Sequence, residues 1–237
     1  MKIALIIPVY NEGKSIGGIL NSIPSEIAGN PVMTVVVDDG SRDTTAYNAQ
    51  GLPGVYLVRH RSHLGRGAAA KTGCDVAFTL GADMFVLMSA HGTYSAKDIE
   101  LLVNPLLLES SPQMVLGRQK HTCSLSTSSR ISNFVVSMLA KVLFGITIHD
   151  TESGFRAFPR SLYPDIRWGA SSSVMETEML ILAAQQKAQL VEVAISSHDD
   201  VPVVPFNLED SLYIFQTLVK LRLTTLREYQ PLESPLS

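Results

Sequence analysis

One stretch constrains this chain more than any other. Val32–Val37 reads VMTVVV, an almost unbroken apolar run, and it ends abruptly in Asp38-Asp39-Gly40-Ser41. A strand with one wet face alternates apolar and polar residues. A continuous run is buried on both faces, as in parallel sheets covered by helices. Parallel strands need crossover connections, and the flanking sequence supplies them. Lys2–Pro8 (KIALIIP), Val55–Arg59 and Met84–Met88 (MFVLM) read as further strands, and Met114–Leu116 as a short one. Gly13–Ser22, a segment beginning at Asp43-Thr44-Thr45, Gly65–Leu80 and Ser95–Leu108 read as helices, the last with Ser95 as N-cap and Asp98 three residues on. This alternation predicts an α/β fold with a mostly parallel sheet sandwiched by helices.

Beyond residue 118 the pattern loosens. His121–Ser129 is rich in Ser and Thr and reads as a loop, Arg130–Phe144 as a helix, and His149–Phe158 as irregular. Val174–Lys187 reads as a helix, Leu190–Ile195 as a strand, Leu208–Arg227 as a long terminal helix and Glu228–Ser237 as a tail. With no repeat and no linker-like composition, the 237 residues are expected to form a single domain.

Composition excludes several classes. The chain is 46% hydrophobic and 17% charged, enough apolar material for a core. Nineteen basic and 22 acidic residues give a net charge of −3, without the basic excess of a nucleic-acid binder. Cys74 and Cys123 form neither a disulfide framework nor a zinc pattern, and they read as free thiols in a reducing compartment. The apolar stretch Ile131–Ile148 is interrupted by Lys141, whereas a spanning helix needs about 20 mostly apolar residues. The expectation is a soluble, cytoplasmic protein with at most peripheral membrane contact; a homodimer is left open.

In such a sheet, ligands bind beyond the carboxyl ends of the strands. Three polar segments fall there: Pro8 to Glu12, Asp38 to Asp43, and Ser89-Ala90-His91. Asp43 has an alternative as a helix cap, and Glu12 as a first-turn acid. Adjacent carboxylates at Asp38 and Asp39 imply something cationic or donor-rich beside them. The chain has no P-loop, and Gly13 lacks the glycine spacing of a dinucleotide fingerprint.

Several ordered segments carry a resemblance. IIPVYNE at Ile6–Glu12, VVDDGSRDTT at Val36–Thr45, LGRGAAAKTG at Leu64–Gly73, HDTESGFRAFPR at His149–Arg160 and METEML at Met175–Leu180 resemble an inverting GT-A glycosyltransferase of family 2. The subgroup they look most like is the dolichol- or polyprenyl-phosphate mannosyl- and glucosyltransferases. The resemblance implies a nucleotide-sugar-binding half at 1–117, an acceptor-binding half of the same domain at 118–227, and a tail at 228–237. It implies a nucleotide-sugar pocket, for a UDP- or GDP-linked sugar, at Pro8, Tyr10, Glu12, Asp38, Asp39, Ser41, Gly65, Arg66, Ser89, Ala90 and His91. Tyr10 would stack on a base, Glu12 would accept from ribose hydroxyls, Asp39 would take the base edge, and Gly65-Arg66-Gly67 would let backbone approach the nucleotide.

The family's Asp-x-Asp motif, which holds Mn or Mg, aligns with Ser89-Ala90-His91. Three readings stay open. His91, aided by His198, keeps a metal; transfer is metal-independent, with cationic side chains neutralising the diphosphate; or the protein is a degenerate relative that binds a nucleotide or a protein partner without turnover. On the acceptor side the resemblance gives Arg118, Arg130 and Ser153 phosphate contacts. It makes Asp150, Glu176, Glu178 and Arg156 the catalytic candidates. The segment Ser196-Ser197-His198-Asp199-Asp200 is a poor phosphate clamp, so a small soluble acceptor rivals a phosphate-bearing one.

Overall fold

The computed structural model describes residues 1–90, 96–108, 113–119, 153–172 and 174–196, with the isolated helical positions 138, 141 and 216. The expected helices Arg130–Phe144 and Leu208–Arg227 therefore lie almost wholly outside the described residues, as do the loop at 121–129 and the tail.

In chain order the elements are β1 (Ile3–Val9), α1 (Ile16–Ser22), β2 (Glu26–Ile27), β3 (Asn30–Asp38), α2 (Thr45–Ala49), β4 (Val55–Arg59), α3 (Arg66–Thr79), β5 (Met84–Leu87), α4 (Ile99–Val103), β6 (Met114–Gln119), β7 (Arg156–Pro159), α5 (Tyr163–Ile166), α6 (Met175–Gln185) and β8 (Leu190–Ile195). They build one sheet in the order β2-β3-β1-β5-β7-β6-β8, with β4 also on β3. The pairs β1–β3, β1–β5, β3–β4 and β6–β8 are parallel.

Period-two geometry splits the apolar strands between two cores. Ala4, Ile6, Val35 and Val37 face α3, α5 and α6. Ile3, Leu5, Ile7 and Val36 face α1, α2 and α4. A Cβ at Gly73 would stand 2.4 Å from Ile6 Cγ2, so glycine lets α3 lie directly on β1.

Four details differ from the sequence expectation. The stretch expected to be irregular ends in β7, antiparallel to both β5 and β6. Its four residues, which begin at Arg156 and end at Pro159, are too few to show a period. The expected helix Ser95–Leu108 is broken into a 3-10 turn at Ala96–Asp98, α4, and a second 3-10 turn at Asn104–Leu107. Pro105, which has no N–H for the α ladder, accounts for the second break. The β2–β3 hairpin was not anticipated. It turns through Ala28 (φ 47°) and Gly29 (φ 73°), the left-handed pair that a two-residue hairpin needs. Finally, β6 runs on to Gln119.

Pro8 in the central strand also has a physical reason. Pairing of β1 with β5 ends at Ile6↔Leu87, while pairing with β3 continues to Val9↔Asp38. The Ile6 carbonyl faces β5, where it accepts from Met88 N–H, and Pro8 points the same way two residues on. Its missing N–H thus falls where β1 and β5 have already parted. That gap, where the chain switches from one side of β1 to the other, is the expected crevice of a doubly wound sheet.

Candidate active site

The exits of β1, β3 and β5 are tied into one rim. Asp39 N–H donates to the Val9 carbonyl at 2.8 Å. Asn11, in the left-handed region at φ 54°, donates its N–H to Ser41 Oγ (2.9 Å) and accepts from Arg42 N–H through Oδ1 (3.0 Å). Glu12 N–H reaches Thr45 Oγ1 at 2.8 Å, and Gly13 N–H reaches Asp43 Oδ2 at 2.9 Å. Ser15 Oγ donates to the Glu12 carboxylate and lies 3.4 Å from the Ala90 carbonyl at the β5 exit. Thr45 lies beyond the polar segments read as the pocket, and Asn11 enters them only as part of Pro8 to Glu12, with no role of its own. The available signal was an asparagine, a tolerated left-handed residue, set between a strand and a helix. Asp43 also accepts from Thr45 N–H. The Thr45 hydroxyl, together with these backbone N–H groups, holds its carboxyl below the usual range.

The two adjacent acids find their donors within the chain. Asp38 is fully buried; it accepts from Ser41 N–H (2.9 Å), and its Oδ2 pairs with Arg59 Nε at 3.0 Å. Arg59 also donates to the Ser41 carbonyl. Asp38 is thus turned inward as a brace of the loop. Asp39 gathers four groups. Oδ1 faces His60 Nδ1 (2.6 Å) and Leu64 N–H (3.0 Å); Oδ2 faces Gly65 N–H (2.8 Å) and His63 Nδ1 (2.8 Å). His60 is itself anchored through Nε2 to Thr72 Oγ1 of α3 at 3.0 Å. Asp39 therefore pins the entrance of α3 to the end of β3.

The glycines at that entrance answer to the chain itself. A Cβ at Gly65 (φ 97°) would meet the Ser171 carbonyl oxygen at 2.5 Å, and one at Gly67 the Ala170 carbonyl oxygen at 2.4 Å. Gly67 N–H donates to Ser171 O at 2.6 Å, and Trp168 Nε1 donates to Gly67 O at 2.9 Å. The close backbone approach expected toward a nucleotide is made here by residues 170–172. Between the glycines, Arg66 projects to Glu176 of α6, with Nη1 2.8 Å from Oε1. Its other terminal nitrogen lies 1.9 Å from where a Cβ on Gly154 would stand, so Gly154 makes room for the guanidinium.

The acceptor-side candidates divide in the same way. Arg156 is completely buried and donates to the carbonyls of Ser153 and Glu176. Ser153 Oγ donates to the Gly117 carbonyl at 2.5 Å. Glu178 is buried and accepts from Gly169 N–H (3.0 Å) and Ala170 N–H (2.9 Å), fixing the segment that packs on Gly67. These contacts are structural. Glu176 is different: Arg66 meets one carboxylate oxygen, and Oε2 is buried with no hydrogen-bond partner among the described residues. Ser89 and Ala90 are buried at the β5 exit, Pro8 is buried within β1, and Tyr10 is exposed at its end. Arg118 is exposed on β6. His91, Arg130, Asp150 and His198 lie outside the described residues.

Among the described residues no group of three or more His, Cys, Asp or Glu side chains could hold a metal ion. Ser89 and Ala90 bring one hydroxyl and no carboxylate to the β5 exit, and Asp39 is already engaged. Among the described residues, this donor set does not make the oxygen-rich site that Mn or Mg favour. Among the described residues no helix is long and apolar enough to cross a membrane.

A sheet parted at β1 and β5, with its polar loops gathered on one rim, is the architecture of a GT-A glycosyltransferase. The solved structure of glucosyl-3-phosphoglycerate synthase from Mycobacterium tuberculosis, in complex with Mn2+, UDP and phosphoglyceric acid, superimposes with a TM-score of 0.71. The match covers 94% of this chain and 79% of that one at 19% sequence identity, a likeness of fold. The sequence model of Glycosyl transferase family 2 matches residues 4–167, and the chain belongs to that family. It is 29% identical over 216 residues to the UDP-N-acetylglucosamine–dolichyl-phosphate N-acetylglucosaminyltransferase of Methanococcus voltae, across 82% of this chain and 85% of that one. It is 28% identical over 204 residues to the polyprenol monophosphomannose synthase of Mycolicibacterium smegmatis, across 81% and 76%. Family and fold together make it a glycosyltransferase.

Proposed function

We propose that the protein transfers a sugar, with inversion, from a UDP- or GDP-sugar to a phosphate-bearing acceptor. The observation that carries this reading is the single rim joining the exits of β1, β3 and β5, with Arg66 and Glu176 beside it. The base would lie on Tyr10, with Glu12 toward the ribose. Residues 1–117 would form the nucleotide-sugar half and residues from 118 onward the acceptor half of one domain. The names of the relatives, a dolichyl-phosphate N-acetylglucosaminyltransferase and a polyprenol monophosphomannose synthase, support a phosphate acceptor.

An ionised phosphate acceptor needs no base to remove a proton, so the main demand is to stabilise the diphosphate as it leaves. Arg66 offers a part-exposed guanidinium held in place by Glu176, and guanidinium forks suit phosphate oxygens. Glu176 and Arg156 then act as positioning residues: Arg156 holds the backbone of Ser153 and Glu176, and Glu176 aims Arg66.

Calorimetric titration with UDP, GDP, CDP and ADP tests the reading, with chelator present and then with added Mn. Saturable binding of UDP or GDP is expected. Binding that appears only with Mn would place the charge on a divalent ion, a role in which His91 and His198 would be the ligands to examine. Failure of every nucleotide in both conditions would refute the nucleotide-sugar site.

A further inference from the structure

The nucleobase place proposed above is already filled by a ring of the chain itself. His63 stacks on Tyr10 with ring centroids 4.0 Å apart and an interplanar angle of 29°. Its Nδ1 lies 2.8 Å from Asp39 Oδ2. A flat ring on Tyr10 that directs a nitrogen at a buried carboxylate is the pose a uracil or guanine would take, with its ring N–H in place of Nδ1. We infer that His63 is a displaceable stand-in for the base, which must leave before a nucleotide can bind. The inference rests on the proposed nucleotide-sugar site and adds to it a residue that sets affinity.

The four groups around Asp39 are not equivalent. Leu64 and Gly65 present backbone N–H groups fixed by the turn into α3. His60 is only 10% exposed and is anchored at its far nitrogen to Thr72. His63 is 52% exposed. It is the one that can swing out without disturbing the fold. Its backbone is held: Gly40 packs so closely that a Cβ there would stand 2.9 Å from His63 N. Release is therefore a side-chain rotation. A carboxylate oxygen left short of a donor favours a base that brings one. Uracil and guanine have a ring N–H at that edge, whereas cytosine presents an acceptor.

The test is calorimetry of UDP and GDP binding to the full-length wild type and to His63→Ala. Apparent affinity falls by the fraction of molecules whose site is competent. If His63 fills the place in about nine molecules of ten, the variant binds the preferred nucleotide about tenfold tighter. CDP, which lacks the ring N–H, should bind more weakly than UDP to both proteins and gain by the same factor. His63→Phe, which keeps a ring on Tyr10 but loses the nitrogen, should fall between the two. In the wild type, nucleotide should shift the imidazole NMR signals of His63 far more than those of His60. Unchanged or weaker binding by His63→Ala overturns the inference while leaving the nucleotide site standing. If neither protein binds any nucleotide, the proposed site itself falls, and the inference with it.

Discussion

Asp39 and Glu176 are both buried carboxylates, and they are used in opposite ways. Asp39 at the end of β3 has all four of its lone-pair positions faced by nitrogen, two of them on the backbone. Glu176 on α6 has a single cation on one oxygen and no hydrogen bond on the other among the described residues. A carboxylate met on every side fastens chain segments together, and only the place held by the exposed His63 is open to exchange with a ligand. An undersatisfied one is costly to keep, and buried polar groups left short of partners concentrate where function requires them. The contrast explains how one crevice can be rigid along its β3 side and still present a poised guanidinium across from it.

The contrast can be broken by substitution. Asp39→Ala strips the partner from two histidines and two backbone N–H groups, and should cost about 3 kcal/mol. For a chain of this size that lowers the midpoint of thermal unfolding by roughly 6–12 °C. Glu176→Gln keeps the shape and removes a charge that has one cationic partner among the described residues, so its cost should be well under half of that. Scanning calorimetry of the two variants would sharpen the comparison; equal losses would abolish it.

A smaller effect belongs to Asp43, on the exposed side of the rim. The Thr45 hydroxyl and the N–H groups of Gly13 and Thr45 depress its carboxyl below the ordinary value. A carboxyl depressed in the folded state contributes stability that is fully present above its unfolded value, roughly pH 4, and is lost as pH falls through the folded one. Asp75, on the far side of α3, behaves alike. Burial alone would raise its carboxyl, but hydrogen bonds from Arg167 and Tyr163 outweigh that and lower it. Denaturant midpoints should therefore decline below about pH 4. Asp43→Ala should cost about 0.5 kcal/mol at neutral pH and flatten part of that decline. An unaltered acid profile would remove Asp43 from the loop's support.

The fold was legible because its signals are periodic and local. The unbroken runs of β1, β3 and β5 and the small-residue face of α3 announce a helix-covered parallel sheet. The hairpin at Ala28-Gly29 and the four-residue β7 were not legible, because neither is long enough to carry a period. At the site, the adjacent acids correctly required donors nearby, but sequence alone could not say that Arg59, His60, His63 and the turn at Leu64-Gly65 would supply them. Nor could it say that Gly65 and Gly67 serve contact with residues 170–172. Those are distances between segments far apart in the chain. The same limit hid the pairing of Arg66 with Glu176, whose numbers differ by more than a hundred.

That pairing is the centre of the account, and turnover tests it most directly. Product formation from UDP- and GDP-sugars with a short-chain polyprenyl phosphate would be measured for the wild type and for Arg66→Gln combined with Glu176→Gln. The double variant removes the cation without stranding a buried charge, so the fold should survive. The account predicts turnover by the wild type and a loss of about 100-fold or more in the variant, the usual cost of deleting one stabilising donor. Nucleoside diphosphate binding should be weakened far less. Equal turnover by the two proteins, or no product from the wild type with any sugar in the panel, would contradict it.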